Sequence, residues 1–146
     1  MEARAYADSS YLVSLHRADE HHERARSFVG KNAISLWYTS LHRLEVRNAL
    51  RNAASREQIT AAACRAAFRQ IEADLRDGLL IFTAVNWTDA LGRAEQLSER
   101  HAPEHGQRAI DLLHVAIALE IGAASFLSFD KRQRQLAQVA GLKVKP

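Results

Sequence analysis

The sequence predicts a single α/β domain over residues 1–146, a three-layer α/β/α sandwich with a mostly parallel central sheet. Short apolar runs of strand length alternate with longer stretches of helical periodicity, which is typical of this class. No linker rich in proline or glycine divides the chain, and Pro103 and Pro146 are both peripheral. A chain of 146 residues is long enough for one substantial core.

The first elements follow from apolar runs and charge patterning. An apolar strand at residues 5–7 leads into a helix at residues 10–15. The charged stretch that begins at residue 19 continues towards residue 29 and predicts a second, solvated helix. Residues 34–37 are expected to form the next strand.

Two longer helices and a strand are expected next. Thr39-Ser40 is suited to capping a third helix, which carries Leu41, Leu44, Ala49, Leu50 and Ala53. Apolar residues at helical spacing between residues 56 and 76 predict a fourth helix, which Gly78 ends. The apolar run at residues 79–82 predicts a buried strand.

The C-terminal part repeats this alternation. Thr88-Asp89 can cap a helix that runs to about residue 100, and residues 101–106 are expected to form a loop. Residues 107–120 predict a helix closed by Gly122, and residues 124–129 a strand. A helix at residues 131–140 and a short strand at residues 142–144 complete the prediction.

Composition excludes some classes of protein. Apolar residues make up 47% and no apolar run is long enough to span a bilayer, so no membrane partner is expected. The N-terminus lacks the pattern of a signal peptide, and the single cysteine, Cys64, lies in an alanine-rich helical stretch and is interpreted as structural. A cytoplasmic protein is the default expectation. The net charge of +3 permits an anionic partner such as nucleic acid.

Four carboxylates lie in apolar settings at or near the ends of predicted elements: Asp8, Glu45, Asp111 and Asp130. An ionised carboxylate removed from water is costly unless it is paired, hydrogen-bonded or bound to a metal. If the fold brings the four together, their repulsion requires a cation, and oxygen ligands suit Mg²⁺ or Mn²⁺. The pattern therefore favours a metal site for phosphate chemistry.

Each acid also has a structural explanation. Asp8 and Asp130 each follow a predicted strand and can cap the next helix, although parallel strands place both at the functional edge of the sheet. Glu45 shares a helical face with Leu41 and Ala49, and could instead pair on the surface with Arg47, with Arg51 or with a neighbouring helix.

The sharpest departure from an apolar pattern is in the penultimate helix. Asp111 and His114 are the polar interruptions between residues 109 and 119, and their i,i+3 spacing places them on one face. The helix dipole alone could favour Asp111 at the N-terminus. A single histidine is more often a hydrogen-bonded core residue than a ligand, so we assign His114 a supporting role at most.

These segments resemble the PIN-domain ribonucleases, and in particular VapC-type toxins of bacterial toxin–antitoxin pairs. The resemblance rests on Glu45 after Thr39-Ser40 and on three segments: YADSSYLV (6–13), DLLHVA (111–116) and LSFDKR (127–132). It extends over nearly the whole chain. Ser128 stands where the family often has threonine, which keeps the hydroxyl.

The resemblance implies a PIN-like fold and a metal-dependent endoribonuclease. Asp8, Glu45, Asp111 and Asp130 would hold one or two Mg²⁺ or Mn²⁺ ions, and a water activated by the ions would attack the scissile phosphorus. Ser9 and Ser128 are supporting candidates beside Asp8. The family also implies an RNA substrate, a small cognate antitoxin protein and frequent homodimers.

Basic residues near the acids are candidates for weak RNA contacts. Arg43, Arg47 and Arg51 recur every four residues on the helix of Glu45, and Lys131, Arg132 and Arg134 follow Asp130. A solvated or antitoxin-pairing surface is an equally good interpretation of these positions.

Two other classes with an aspartate after the first strand fit this sequence less well. A haloacid dehalogenase phosphatase needs a second acid two residues after the first, where this chain has Ser10. A receiver domain needs an acidic pair after the first strand and a phospho-accepting aspartate near mid-chain, and neither is evident in this sequence. The remaining alternative is a catalytically silent PIN-fold protein that binds RNA or a protein partner.

Overall fold

The structure is a computed structural model that describes residues 3–146, and only the backbone for residues 3 and 102–105. The strands are β1 (Ala3–Ala7), β2 (Ile34–Tyr38), β3 (Leu80–Phe82), β4 (Ser125–Leu127) and β5 (Val144–Lys145). The helices are α1 (Ser9–His16), α2 (His22–Lys31), α3 (Ser40–Ser55), α4 (Ala61–Asp77), α5 (Trp87–His105), α6 (Ala109–Glu120) and α7 (Lys131–Val139).

The strands form one sheet in the order β3-β2-β1-β4-β5, and every neighbouring pair is parallel. Ala5 in β1 lies opposite Leu36 on one side and Ser125 on the other. Because the strands are parallel, the segments that follow them leave the sheet at the same carboxyl edge. The predicted sandwich is confirmed.

Side chains alternate along β1 and supply two cores, one on each face of the sheet. Ala5 and Ala7 face a core shared with α1–α4, which includes Leu12, Leu15, Val29, Leu50 and Ile71. Tyr6 faces the second core, shared with α5–α7, which includes Leu97, Val115, Ile117, Phe126 and Leu136. Apolar side chains thus cover both faces of the central strands.

The two largest errors in the predicted boundaries are at the end of α5 and at the start of α4. The loop expected at residues 101–106 is helical to His105, and the chain leaves α5 at Gly106, whose φ of +59° suits glycine. The fourth helix begins at Ala61 rather than near residue 56, because the Thr60 hydroxyl accepts a hydrogen bond from the Ala63 amide and caps it. Its predicted end at Gly78 is confirmed.

Two apolar residues are more exposed than the sequence indicated. Phe82 is 57% exposed because β3 lies at the edge of the sheet, whereas Leu80 in the same strand is buried. Leu44 is 69% exposed, since α3 packs through Val46 and Leu50 instead. Hydrophobic periodicity predicted both elements, but it did not indicate how much of each the neighbouring elements shield from solvent.

Cys64 is buried in α4, as expected for a structural residue. Within the described residues, no helix combines the length and apolar character that a bilayer crossing requires.

Candidate active site

The four sequence-predicted acids line one cleft of about 180 Å³ at the carboxyl edge of the sheet. Asp8 follows β1, Glu45 lies in α3, Asp111 lies in the first turn of α6, and Asp130 precedes α7. The cleft is completed by Ser9, Ser10, Arg108, Ile110, His114 and Gln133. The tertiary fold therefore brings together residues that are up to 122 positions apart in the sequence, from position 8 to position 130.

Asp8 is buried and is held on both carboxylate oxygens. Its Oδ1 accepts hydrogen bonds from the Ser10 hydroxyl and the Tyr11 amide, both at 2.8 Å, so Asp8 is also the N-cap of α1. Its Oδ2 accepts from the Ser128 hydroxyl at 2.5 Å. Burial raises the pKa of Asp8, and the hydrogen bonds from Ser128, Tyr11 and Ser10 only partly oppose that rise. A nearby cation would relieve this electrostatic cost.

Glu45 is half-buried and bonded on one oxygen. Oε1 accepts from the Ser9 hydroxyl at 2.7 Å and from His114 Nε2 at 2.5 Å. Burial pushes the pKa of Glu45 upward, but the hydrogen bonds from His114 and Ser9 outweigh it and lower the pKa. Glu45 thus pairs with a neighbouring helix, α6, and within the described residues it makes no ion pair with Arg47 or Arg51. Among described residues, no hydrogen bond reaches Oε2.

His114 connects Glu45 to a buried tyrosine. The Tyr6 hydroxyl lies 2.6 Å from His114 Nδ1, on the side of the ring opposite Glu45. Burial raises the pKa of Tyr6 well above its ordinary value, and the negative charges of Glu45 and Asp8 raise it further. The Tyr6 hydroxyl therefore keeps its proton. We assign the hydrogens from these contacts: Tyr6 donates to Nδ1, and Nε2 donates to Glu45. His114 thereby orients the carboxylate.

Asp111 is paired with an arginine that the sequence analysis did not identify. Arg108 Nε lies 3.0 Å from Asp111 Oδ2, and Arg108 Nη2 lies 3.4 Å from Oδ1. The Asp111 hydrogen bond and charge raise the pKa of Arg108, with smaller contributions from Asp130 and Glu45. The i,i+3 spacing of Arg108 and Asp111 was a readable sequence signal.

Asp130 caps α7, as its structural explanation anticipated. Its Oδ1 accepts from the Gln133 amide at 3.0 Å, and its own amide donates to the Ser128 hydroxyl at 3.0 Å. The Gln133 side chain donates to the Asp111 backbone oxygen at 3.1 Å. Gln133 also lines the cleft, and its buried Oε1 atom has no hydrogen-bond partner among the described residues. No sequence pattern distinguished Gln133 from an ordinary helical residue.

The predicted basic residues fall into different environments. Arg47 donates to Glu72 at 2.6 Å and lies over Phe68, both in α4, so that guanidinium is engaged away from the cleft. Arg43 is 3.6 Å from the same glutamate. Contacts with RNA remain a prediction for both.

The basic residues after Asp130 also differ from one another. Arg134 donates to the backbone oxygens of Ser128 and Pro146, which makes it structural. Lys131 and Arg132 are exposed at the start of α7 and remain available to an anion. Their RNA role is likewise a prediction.

The donor set suits a hard divalent cation. The cleft offers four carboxylates, and the unpartnered Gln133 oxygen is a buried polar atom that a cation or its water shell would satisfy. In the described part of the chain, no three potential ligands converge closely enough to hold a metal as the side chains stand. Each acid is turned to its own partner, so metal binding would require side-chain rotation, above all of Asp111 away from Arg108.

Comparison with known proteins agrees with this geometry. A family model described as PIN domain matches residues 5–139, a range that includes all four acids. No curated protein sequence matches the chain.

Among solved structures, the chain is similar to VapC20 of Mycobacterium tuberculosis, described as a sarcin–ricin loop cleaving toxin. The TM-score is 0.67 at 19% identity, over 97% of this chain and 99% of that chain. It is also similar to VapBC2 of Rickettsia felis, solved with a promoter DNA fragment, with a TM-score of 0.62 at 13% identity over 97% of each chain. At these identities the likeness concerns the fold.

Proposed function

The chain belongs to the PIN domain family, and on that premise we propose that it is an endoribonuclease dependent on Mg²⁺ or Mn²⁺, of the VapC toxin type. The observation that carries the proposal is the convergence of Asp8, Glu45, Asp111 and Asp130 on one cleft. Four acids that only had to cap helices or pair on the surface would have no reason to share a cavity.

We propose that these four carboxylates hold the metal. A divalent cation bound there would neutralise charge on the scissile phosphate and lower the pKa of an attacking water. Ser128 fixes one oxygen of Asp8, and Ser9 and His114 fix one oxygen of Glu45, which leaves the second Glu45 oxygen without a hydrogen bond from the described residues. Such outer contacts commonly change metal affinity or activity by about 10- to 100-fold.

The chemistry needs no side-chain nucleophile. The hydroxyls of Ser9, Ser10 and Ser128 are all directed at carboxylates, and His114 has both ring nitrogens engaged. These groups therefore position acids rather than attack a phosphate.

The partners we propose are RNA and a small cognate antitoxin. Exposed Lys131 and Arg132 adjoin Asp130 and can contact backbone phosphates. The proteins with similar folds include one described as an RNA-cleaving toxin and one solved as a VapBC assembly on promoter DNA. Homodimer formation remains a prediction.

A second candidate is a catalytically silent PIN-fold module that binds RNA or protein. It is favoured by one observation: Asp111 is engaged by Arg108, and no three ligating groups converge in the described residues. Binding of Mn²⁺ without cleavage of any RNA would support this candidate.

The first experiment is cleavage of purified total RNA, including tRNA, with Mg²⁺ or Mn²⁺ and with an EDTA control. Asp8→Asn removes the charge of a buried cleft acid, and Asp77→Asn makes the same change at an exposed position at the end of α4. We expect discrete fragments from the wild type and Asp77→Asn, and a loss of about 100-fold in Asp8→Asn. Unchanged cleavage in folded Asp8→Asn would contradict the proposed site.

A further inference from the structure

Arg108 is the only arginine or lysine among the described residues that line the acidic cleft. It immediately precedes α6, and its guanidinium contacts both oxygens of Asp111. The Arg108 side chain is 75% exposed, whereas that of Asp111 is only 20% exposed. A solvated cation is thus held against a half-buried anion at the rim of the cleft.

We propose that Arg108 is an exchangeable counter-ion: it binds Asp111 while the cleft lacks a cation, and it turns to an RNA phosphate when a divalent cation takes Asp111. The first half concerns the metal alone. The second half rests on the proposed ribonuclease function.

Charge explains why the cleft needs such a residue. Asp8, Glu45, Asp111 and Asp130 share a small cavity, and their repulsion in the absence of metal opposes the folded arrangement. Arg108 supplies one positive charge at an acid whose carboxylate accepts no hydroxyl or backbone N–H hydrogen bond from the described residues, whereas the Asp130 carboxylate accepts from the Gln133 amide. Asp8 has Ser10 and Ser128, and Glu45 has Ser9, whereas the described partner of the Asp111 carboxylate is Arg108.

Magnitude explains why the pair can exchange. An ion pair with one exposed partner contributes little, with a median of about 0–1 kcal/mol for surface pairs. A divalent cation carries twice the charge of a guanidinium and can bind several carboxylates at once. The metal therefore prevails over Arg108 at Asp111 without a large penalty.

Geometry explains where the guanidinium goes. Arg108 is three residues from Asp111, so it stays at the rim after release. It makes no other ion pair within the part of the chain that the structure describes. Its planar fork matches two phosphate oxygens, which places a phosphate-binding group beside the acids.

The metal half is tested without RNA, by measuring free Mn²⁺ with electron paramagnetic resonance during titration of the protein. Arg108→Gln removes the competitor, and we expect Mn²⁺ to bind about threefold more tightly than in the wild type. Arg132→Gln makes the same charge change at an exposed position two residues from Asp130, and we expect no comparable gain. Unchanged affinity in Arg108→Gln, or an equal gain in Arg132→Gln, would overturn the proposal.

The RNA half is tested by fluorescence anisotropy of a labelled RNA 30-mer, with Glu45→Gln as the background to suppress cleavage. At saturating Mn²⁺ we expect Arg108→Gln to weaken RNA binding about fivefold and to reduce the salt slope by about one. Without Mn²⁺ the same substitution should have little effect, because Asp111 holds the guanidinium. Arg65→Gln, exposed on α4, is the control and should change neither value.

The two halves fail in different ways. Equal effects of Arg108→Gln with and without Mn²⁺ would overturn the exchange. RNA binding that is absent in every variant would overturn the proposed function and the RNA half together, while the Mn²⁺ titration still decides whether Arg108 competes with metal.

Discussion

His16 and His114 are both buried histidines that donate Nε2 to a carboxylate on another helix, at 2.6 Å to Asp74 and 2.5 Å to Glu45. Their surroundings differ. His16 Nδ1 lies 2.8 Å from the Leu12 backbone oxygen, so both ring nitrogens face acceptors. His114 Nδ1 instead faces the Tyr6 hydroxyl, which can donate.

The carboxylates of Asp74 and Glu45 also differ in how many of their oxygens have protein partners. Asp74 is engaged on both oxygens: Gln70 donates to Oδ1 at 2.9 Å, and Arg26 lies 3.5 Å from Oδ2 beside His16. Glu45 is engaged on Oε1 and opens to the cleft. A histidine–carboxylate pair therefore does not by itself indicate function, because the two pairs differ in whether the second carboxylate oxygen has a protein partner among the described residues.

The largest effect expected from this difference is on RNA cleavage. Glu45→Gln removes a charge from the cleft, and we expect the rate to fall by about 100- to 1,000-fold. Asp74→Asn removes a charge from the His16–Asp74 pair in the same way, and the folded variant should cleave RNA at the wild-type rate. Single-turnover rates at saturating Mn²⁺ measure both. Equal losses in the two variants would remove the distinction between the pairs.

The next largest effect is on stability, and here the His16–Asp74 pair is expected to matter more than the His114–Glu45 pair. Asp74→Ala leaves the buried Nε2 of His16 without its hydrogen-bond partner, which should lower the free energy of unfolding by about 3 kcal/mol. Asp77→Ala, exposed on the same helix, is the control and should cost less than about 0.5 kcal/mol. Urea denaturation at pH 7 provides the measurement. If Asp74→Ala lowers the free energy of unfolding as little as the control does, the His16–Asp74 pair does not stabilise the fold.

His42 sharpens the comparison as a buried histidine that stays neutral. Its Nδ1 accepts from the Thr39 amide at 3.0 Å, and its Nε2 donates to the Ala7 backbone oxygen at 2.8 Å. Burial lowers the pKa of His42 to about 3. The unfolded chain, with an ordinary pKa near 6.5, therefore binds a proton that the folded protein does not.

Stability should accordingly fall as pH drops below about 6.5, and the loss should accumulate down to about 3. Between pH 7 and pH 5 we expect His42 alone to remove about 2 kcal/mol from the free energy of unfolding. His42→Gln keeps a donor for the Ala7 oxygen but cannot titrate. Urea midpoints at the two pH values should differ less in this variant than in the wild type; an unchanged difference would contradict a neutral His42.

The smallest effect expected is that of His114, which positions Glu45 rather than reacting. His114→Ala should reduce kcat/KM about tenfold, in the range of contacts that orient a metal ligand. His114→Gln retains an N–H donor at the same reach and should recover most of the activity. Mn²⁺ affinity, measured in parallel, should follow the same order. If His114→Gln is as impaired as His114→Ala, the hydrogen bond to Glu45 is not the reason for the loss.

The agreement between sequence and structure is best where the signal is local. Asp8 and Asp130 were placed at the carboxyl edge because each directly follows an apolar strand, and parallel strands share that edge. Both also cap the helix that follows, so the structural and functional interpretations hold together. Ser128 was identified by the family resemblance, and its hydroxyl donates to Asp8 in the structure.

The misses concern side chains whose partners are distant or shared. The Glu45–His114 bond joins residues 69 positions apart, which no spacing rule connects. Arg47 donates to Glu72 of α4, a contact that the sequence did not indicate, and its contact with RNA stays a prediction. Gln133 was overlooked because an orphaned oxygen exists only once the chain has folded around it.

The sequence by itself determined the alternation of strands and helices, the caps and the identity of the four acids, since these depend on periodicity and on groups within a few residues. The tertiary structure alone decided that α3 and α6 deliver Glu45 and Asp111 to the edge where Asp8 and Asp130 end. It also decided that Arg108 reaches into that cleft while Arg47 does not. The physical reason is that burial and charge pairing are properties of the packed arrangement, and electrostatic energies change steeply with distance and with solvent exposure.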